Sequence, residues 1–387
     1  MLKDNEIALG FTTKIYPTKS QIKYFKECFG ISRFAYNWYL DIHESLYKMN
    51  IDKNSFYEMR KMFFELKDLY PWINNISTKI VEQALANAKD AFERFFKKQN
   101  RYPRHKFKRG KQSFSTTRVI IKCPTSKNAP MSKMSNILNG SHFYISGKTE
   151  KCGKANGYFI KTAENIKFLE NYKIIKLCIL FDGINYYASF SYKLKKQEYR
   201  NNSNKTVGID LGIKTYAVQS DKIISKFPLK KIKFYERKID ILNKVISNKI
   251  PSSNNYKKAI VKLNKYYKKI TFIKKDFLHK YTTWLAKNYK KIKIEDLNIR
   301  GMLKNRCLSK SIARLNFREF RDILEYKTKL YDSELVIVDR FFASTKICHN
   351  CGNKKKMKLS DRLYICPICG YIEDRDLNAA LNIRDWK

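Results

Sequence analysis

Apolar residues change their spacing three times along the chain, and each change predicts a different kind of structure. The stretch "FTTKIYPTKSQ" reads as a strand that stops at Pro17, with Thr18 or Ser20 placed to cap a helix. From Gln21 to Lys98 the spacing is helical throughout. Within "IVEQALANAKDAFERFFKK", Ile80, Ala84, Ala88, Ala91, Phe92 and Phe95 share one broad face, while Lys79, Gln83, Lys89 and Arg94 fall largely elsewhere. The apolar face is core material; the polar face is left available for a polyanion.

Helical spacing fades from about Asn100 to Asn204. The loop "RYPRHKFKRGKQSFSTTR" gathers Arg101, Tyr102, Arg104, Lys106, Lys108 and Arg109 with Phe107 and Phe114, which suits phosphate contact and base stacking as well as plain solvation. In "IIKLCILFDGINYYASFSYKL" two strand-like runs meet at Asp182-Gly183, the dipeptide of a type I′ hairpin turn, and alternation turns Tyr186, Ala188, Phe190, Tyr192 and Leu194 inward. A small β-barrel or sheet is expected here, ended by the polar linker "KLKKQEYRNNSNK".

The third region opens with "TVGIDLGIKTYAV", a buried strand from Thr206 to Leu211 carrying one acid, Asp210, with Gly212 allowing a sharp turn. An unpaired carboxylate in such a strand is costly, so Asp210 requires a metal or a base. Basic helices over about 255–289 lead to a second buried strand, "KIKIEDLNI", with Glu295 near its end and Asp296 beside it. A helix over about 311–331 then leads to the apolar strand "ELVIVD".

Composition narrows the partners. The 387 residues, 43% of them hydrophobic, suffice for two or three folded domains. Lys and Arg number 80 against 35 Asp and Glu, a net charge of +45. AT-rich coding accounts for Lys over Arg but not for so few acids; a long polyanion, first of all nucleic acid, is the expected partner. "MLKDNEIALGF" has no apolar signal core, and no run reaches the about 18 apolar residues of a membrane span. A soluble cytoplasmic protein is expected, associated with the nucleoid when bound to DNA. Of nine cysteines, Cys28, Cys123, Cys152, Cys178 and Cys307 stand singly in mostly apolar surroundings, as reduced thiols do.

The other four form two Cys-x-x-Cys pairs, Cys348/Cys351 and Cys366/Cys369, each followed by a glycine, Gly352 or Gly370, that suits the turns aiming thiolates at one tetrahedral Zn²⁺. Four soft ligands with no open position make a structural site. A redox dithiol at "CPIC" would sit in a βαβ pattern, which is missing. His349 is expected outside the ligand set. The acids Asp210, Glu295 and one in "EDRDLNAALNI" stand at the ends of two strands and the start of a helix. Two-metal hydrolysis requires such a set, since carboxylates must hold two Mg²⁺ about 4 Å apart. Each alone also fits a cap or a surface acid; Asp374 is the expected N-cap, with Asp376 in the first turn.

In order, "VGIDLGIK", "IKIEDLNIRGM", "FREFRDILEYK", "CHNCG", "LSDRLYICPICG" and "DRDLNAALNI" closely resemble TnpB, the nuclease family of insertion sequences related to type V CRISPR effectors. "KIYPTKSQ", "ISRFAYNWYL" and "YPRHKFKRG" extend the resemblance over nearly the whole chain. It implies an α+β multidomain protein: an OB-like wedge domain (1–20 and 100–204), an inserted helical recognition domain (21–99), and an RNase H-like, RuvC-type nuclease domain (205–387) with an inserted zinc ribbon (340–372). It implies catalytic, Mg²⁺-holding acids at Asp210, Glu295 and Asp376, supported by Arg362; the nucleic-acid contacts expected from Lys79, Gln83 and the basic loop rest on their own composition. The implied activity is RNA-guided cleavage of double-stranded DNA beside a short motif, with two Mg²⁺ and one structural Zn²⁺. A miniature type V CRISPR effector would share these parts. A guide-dependent DNA binder without cleavage would not need all three acids.

Overall fold

The computed structural model describes residues 6–49, 55–121, 140–149, 155–195, 201, 203–357 and 361–386. Its contacts divide it into two units, Met1–Lys195 and Lys196–Lys387. Cys123 and Cys152 lie outside the described residues; Cys28 is buried and Cys178 half-buried, but Cys307 is exposed, against the apolar setting expected for it.

The first unit runs β1 (Glu6–Ile15), α1 (Lys19–Lys48), α2 (Phe56–Glu65), α3 (Thr78–Phe96), β2 (Gln112–Thr116), β3 (Val119–Ile120), β4 (His142–Thr149), β5 (Ala155–Lys161), β6 (Lys173–Phe181) and β7 (Tyr186–Lys195). Thr18 caps α1 through a reciprocal box with Gln21, whose Oε1 accepts from Thr18 N at 3.0 Å. An antiparallel sheet ordered β1-β7-β6-β2 and a second, β3-β4-β5, are linked by the bridge Ile15–Thr162. Helices and both sheets share one core, including Phe25, Phe63, Phe143 and Phe190. On α3 the buried stripe runs through Val81 and Leu85 with Ile80, Ala84, Ala88 and Phe92; Ala91 and Phe95 are only half-buried, the stripe having turned toward the neighbouring helices.

The β6–β7 hairpin departs from expectation by one residue. Asp182 N donates to Asn185 O at 3.2 Å, so the central residues are Gly183 and Ile184, and only Gly183 has positive φ, +88°. A type I′ turn needs two positive φ values, so this loop is not one. Asp182 stands outside the central pair because its carboxylate accepts from Ile184 N and Asn185 N, closing the loop.

In the second unit follow β8 (Thr206–Leu211), β9 (Ala217–Gln219), β10 (Ile224–Ser225), α4 (Leu229–Ser247), α5 (Asn254–Asn288), β11 (Lys291–Glu295), α6 (Ile299–Lys304), α7 (Ser309–Leu315), α8 (Phe317–Leu330), β12 (Glu334–Val338), β13 (Leu363–Ile365), β14 (Ile372–Asp374) and α9 (Arg375–Asp385). Five strands form one sheet in the order β10-β9-β8-β11-β12; β8, β11 and β12 are parallel, and β9 and β10 antiparallel. The helix expected over 311–331 is broken at Asn316, whose left-handed φ of +53° divides α7 from α8.

Strand alternation sorts the sheet's two faces. Val207, Ile209, Ile292 and Ile294 enter a core with Leu278, Leu285, Phe320 and Leu324 of α5 and α8. Gly208 faces the other way, toward α9, where a Cβ would run into Ala380 O and Arg384 N. Lys293 does likewise, its Nζ donating to Trp386 O at 2.5 Å. Gly208 is therefore glycine because α9 lies directly on β8. Gly212 meets a different need from the one expected: its φ is not left-handed, but a Cβ would crowd Thr215 O at 2.8 Å. Among the described residues no helix is long and apolar enough to cross a membrane.

Candidate active site

The alternation that aims Gly208 and Lys293 at α9 aims Asp210 and Glu295 the same way. Each directly follows the last residue of the β8–β11 register, Ile209 paired with Ile294. Asp376 enters the same locality from the first turn of α9. Burial, then the charges of Glu295 and Asp376, push the Asp210 carboxyl well above the usual carboxylate range; Arg375 pulls it back. Burial likewise raises Glu295, opposed by the Ser344 hydroxyl, which donates to Glu295 Oε1. Arg375 reaches Asp376 Oδ1 at 3.2 Å through Nη2. Three acids near enough to raise Asp210, with Arg375 alone opposing them there, leave negative charge unmet.

The flanking acids are committed elsewhere. Asp374 is the N-cap, its Oδ1 accepting from Asp376 N at 2.9 Å and Leu377 N at 3.1 Å. Asp296 is held by Arg321 Nη1 at 2.8 Å and by Arg340, and these guanidinium bonds keep its carboxyl below its ordinary value.

The four cysteines form a second centre. Their sulfurs all lie within 4.8 Å of one another, with Cys348–Cys369 at 3.7 Å and Cys351–Cys366 at 3.5 Å. Four thiolates about 2.3 Å from one zinc stand about 3.8 Å apart, so the set fits that ion. Gly352 and Gly370 have φ of +73° and +68° and close the two turns back onto Cys348 O and Cys366 O. Backbone N–H groups, Cys369's foremost, pull the Cys366 thiol down to about 6. Tyr364, fully buried, packs beneath the cluster. His349 stands outside it, half-buried, its ring 3.7 Å from Asp385.

Two asparagines, Asn378 and Asn382, tie this centre to α9. Asn378 accepts from His349 N at 3.0 Å and donates to Ile347 O at 2.8 Å; Asn382 donates to Ser344 O at 2.8 Å and Ile347 O at 2.7 Å. Sequence reading missed both, with Ser344, Arg375 and Gly208. The signal for the asparagines was present: polar residues four apart on the otherwise apolar face of "LNAALNI". Arg362 accepts from Arg375 N at 2.8 Å through its carbonyl, which brings its backbone beside the start of α9 while its side chain stays exposed.

In the first unit, Arg101, Arg104, Lys108 and Arg109 are exposed, as is Tyr102, which packs edge-on to Phe95 at 5.2 Å. Phe114, expected in that loop, is buried in the core on β2. Lys106 is pinned, Nζ lying 3.6 Å over the Tyr36 ring, and burial lowers its pKa. Lys79 pairs with Glu82 at 2.7 Å, and Gln83 donates to Asn87 at 3.2 Å.

Three family descriptions match the chain: "Helix-turn-helix domain" over 5–52, "Probable transposase" of the IS605 OrfB type over 189–306, and "Cas12f1-like, TNB domain" over 317–383. Each of the three matches covers less than a third of the chain, and two of them are to IS605 OrfB descriptions. A Streptomyces pristinaespiralis protein named "Putative RNA-guided DNA endonuclease" is 28% identical across 98% of this chain and 89% of its own length. "TnpB-like protein L79" of Acanthamoeba polyphaga mimivirus is 31% identical over 47% of this chain and 37% of its own. In fold, a Cas12f1 chain solved with sgRNA and target DNA aligns over 99% of both chains with a TM-score of 0.61 at 14% identity. The TnpB/IS605 segment described as helix-turn-helix is, here, β1 followed by one uninterrupted helix of 30 residues.

Proposed function

We propose that the chain is an RNA-guided DNA endonuclease that hydrolyses phosphodiester bonds at Asp210, Glu295 and Asp376. The observation carrying this reading is the approach of three acids, from two parallel strands and a helix start, on the face of the sheet that α9 covers. The strand order, third-second-first-fourth-fifth with the first, fourth and fifth parallel, supports an RNase H-like, RuvC-type domain over 205–387 carrying a zinc ribbon over 340–372. The antiparallel sheets support an OB-like wedge over 1–20 and 100–204, with a helical recognition region over 21–99. Relatives named as RNA-guided DNA endonucleases support the guide and the DNA target.

The acids fit hard cations: carboxylate oxygens with unmet charge are Mg²⁺ ligands. Among the described residues only the cysteines bring three or more ligand atoms within 4.8 Å of one another. The acids do not draw that close, and a two-metal site needs carboxylates to hold ions about 4 Å apart. Bound Mg²⁺ supplies Lewis-acid stabilisation of the phosphate and an activated water. Around it, Ser344 orients Glu295, Arg375 orients Asp376, and Asp374 fixes the turn presenting both.

Asp210→Ala, Glu295→Ala and Asp376→Ala should each reduce cutting at least about a hundredfold, on the scale of losing one preorganised charged group, while RNA and target binding persist. Asp374→Ala should cost about 1 kcal/mol of stability as a lost cap. Near wild-type cutting by the Asp376 variant would sink the assignment.

A further inference from the structure

Among the large apolar side chains of the described residues, Phe341 is the most exposed, at 89%. Its backbone is nonetheless fixed. Asp339 Oδ1 accepts from Phe341 N at 2.7 Å and Asp339 O from Phe342 N at 3.1 Å, a side-chain-closed turn following β12. On one side, Arg340 is bonded to Asp296; on the other, Ser344 is bonded to Glu295. Three residues of chain span at most about 11 Å, so the ring is displayed close to an acid of the cutting centre.

Two clefts that share Arg321 and Arg340 connect these features. One, about 720 Å³, is lined by Glu295, Arg300 and Arg318; the other, about 450 Å³, carries Phe341. Arg300 is exposed and has no ion-pair partner among the described residues, and Arg318 has only Asp322 at 3.9 Å. Arg321 and Arg340, which share Phe341's cleft, are bonded to Asp296, so Arg300 and Arg318 of the adjoining cleft are the guanidinium groups left for phosphates. With a bare aromatic face for a base, they make the two parts of a single-strand site. A base-paired duplex does not fit, because its base faces are already covered by stacking.

We propose that Phe341 is a stacking platform for an unpaired base of the DNA strand entering the acidic centre, with Arg300 and Arg318 taking the flanking phosphates. This rests on the nuclease reading and adds to it a residue that holds the strand in register with Glu295. The ring contacts the substrate; it takes no part in bond breaking.

The test uses the full chain with its co-purifying RNA and a matched DNA target. Phe341→Ala should cut about tenfold or more slowly, the scale of one lost base–aromatic stack, with target affinity unchanged. Phe341→Trp should restore the rate and Phe341→Leu should not. In an Asp210→Ala background, 2-aminopurine placed near the cut should be quenched, and adding Phe341→Ala should release the quench. Wild-type cutting by Phe341→Ala, or rescue by Leu equal to that by Trp, overturns the platform and leaves the nuclease reading standing. A wild-type complex that does not cut under guide overturns the nuclease reading and the platform with it.

Discussion

Lys327 shows what a buried charge costs in this fold. It lies in α8 at 5% exposure, its Nζ donating to His279 O and Thr283 Oγ1 at 2.5 Å each, and no acid among the described residues pairs with it. Burial lowers its pKa to about 8 from an ordinary 10.5. Below pH 8 the folded protein therefore carries a charge that the unfolded chain solvates better, and between the two values the unfolded state binds more protons, so stability rises with pH. At about 1.4 kcal/mol for each pH unit, the shift is worth about 3 kcal/mol. With His279 O and Thr283 Oγ1 left without a donor, Lys327→Met should exceed wild type at pH 7 by roughly 1–2 kcal/mol. The gap should close toward pH 10.5, as paired denaturant curves would show; a gap independent of pH would refute the account. Asp210 was legible in the sequence because a lone acid in an apolar strand demands a partner. Ser344 was not, since a serine's meaning depends on which carboxylate the fold brings to it.

At the level of elements, the zinc-fitting cluster and α9 act as one piece. The knuckle glycines and the Asp374 cap were readable because their conformations are local. The coupling was not, because Asn378 and Asn382 bond to carbonyls over 30 residues upstream. The same limit explains the break at Asn316 and the hairpin turn displaced by one residue, where tertiary and side-chain bonds overrode the local pattern. Asn382→Ala leaves Ser344 O without its donor and should cost about 1–3 kcal/mol. It should also slow cutting while one zinc per chain is retained; Cys366→Ser should lose the metal itself. Metal content measured beside thermal unfolding separates these cases. Zinc loss in Asn382→Ala would mean that the asparagine supports the cluster rather than the helix.

Over the whole molecule, a charge of +45 accompanies a chain that shares its fold with a Cas12f1 chain and whose residues 6–49 hold a strand and one long helix. Among those described residues there is one helix, not the two at a fixed angle that usually read duplex DNA. Phosphate contacts from the basic surface position nucleic acid without specifying its sequence. On the proposed reading, sequence choice belongs to base pairing with RNA. The decisive measurement incubates RNA-stripped protein, with and without added guide, on a plasmid carrying a matched target beside a randomised flank, and then exchanges the guide segment. Cutting should appear only with RNA and should move to the new matching site. Site-specific cutting by the stripped protein would contradict the account.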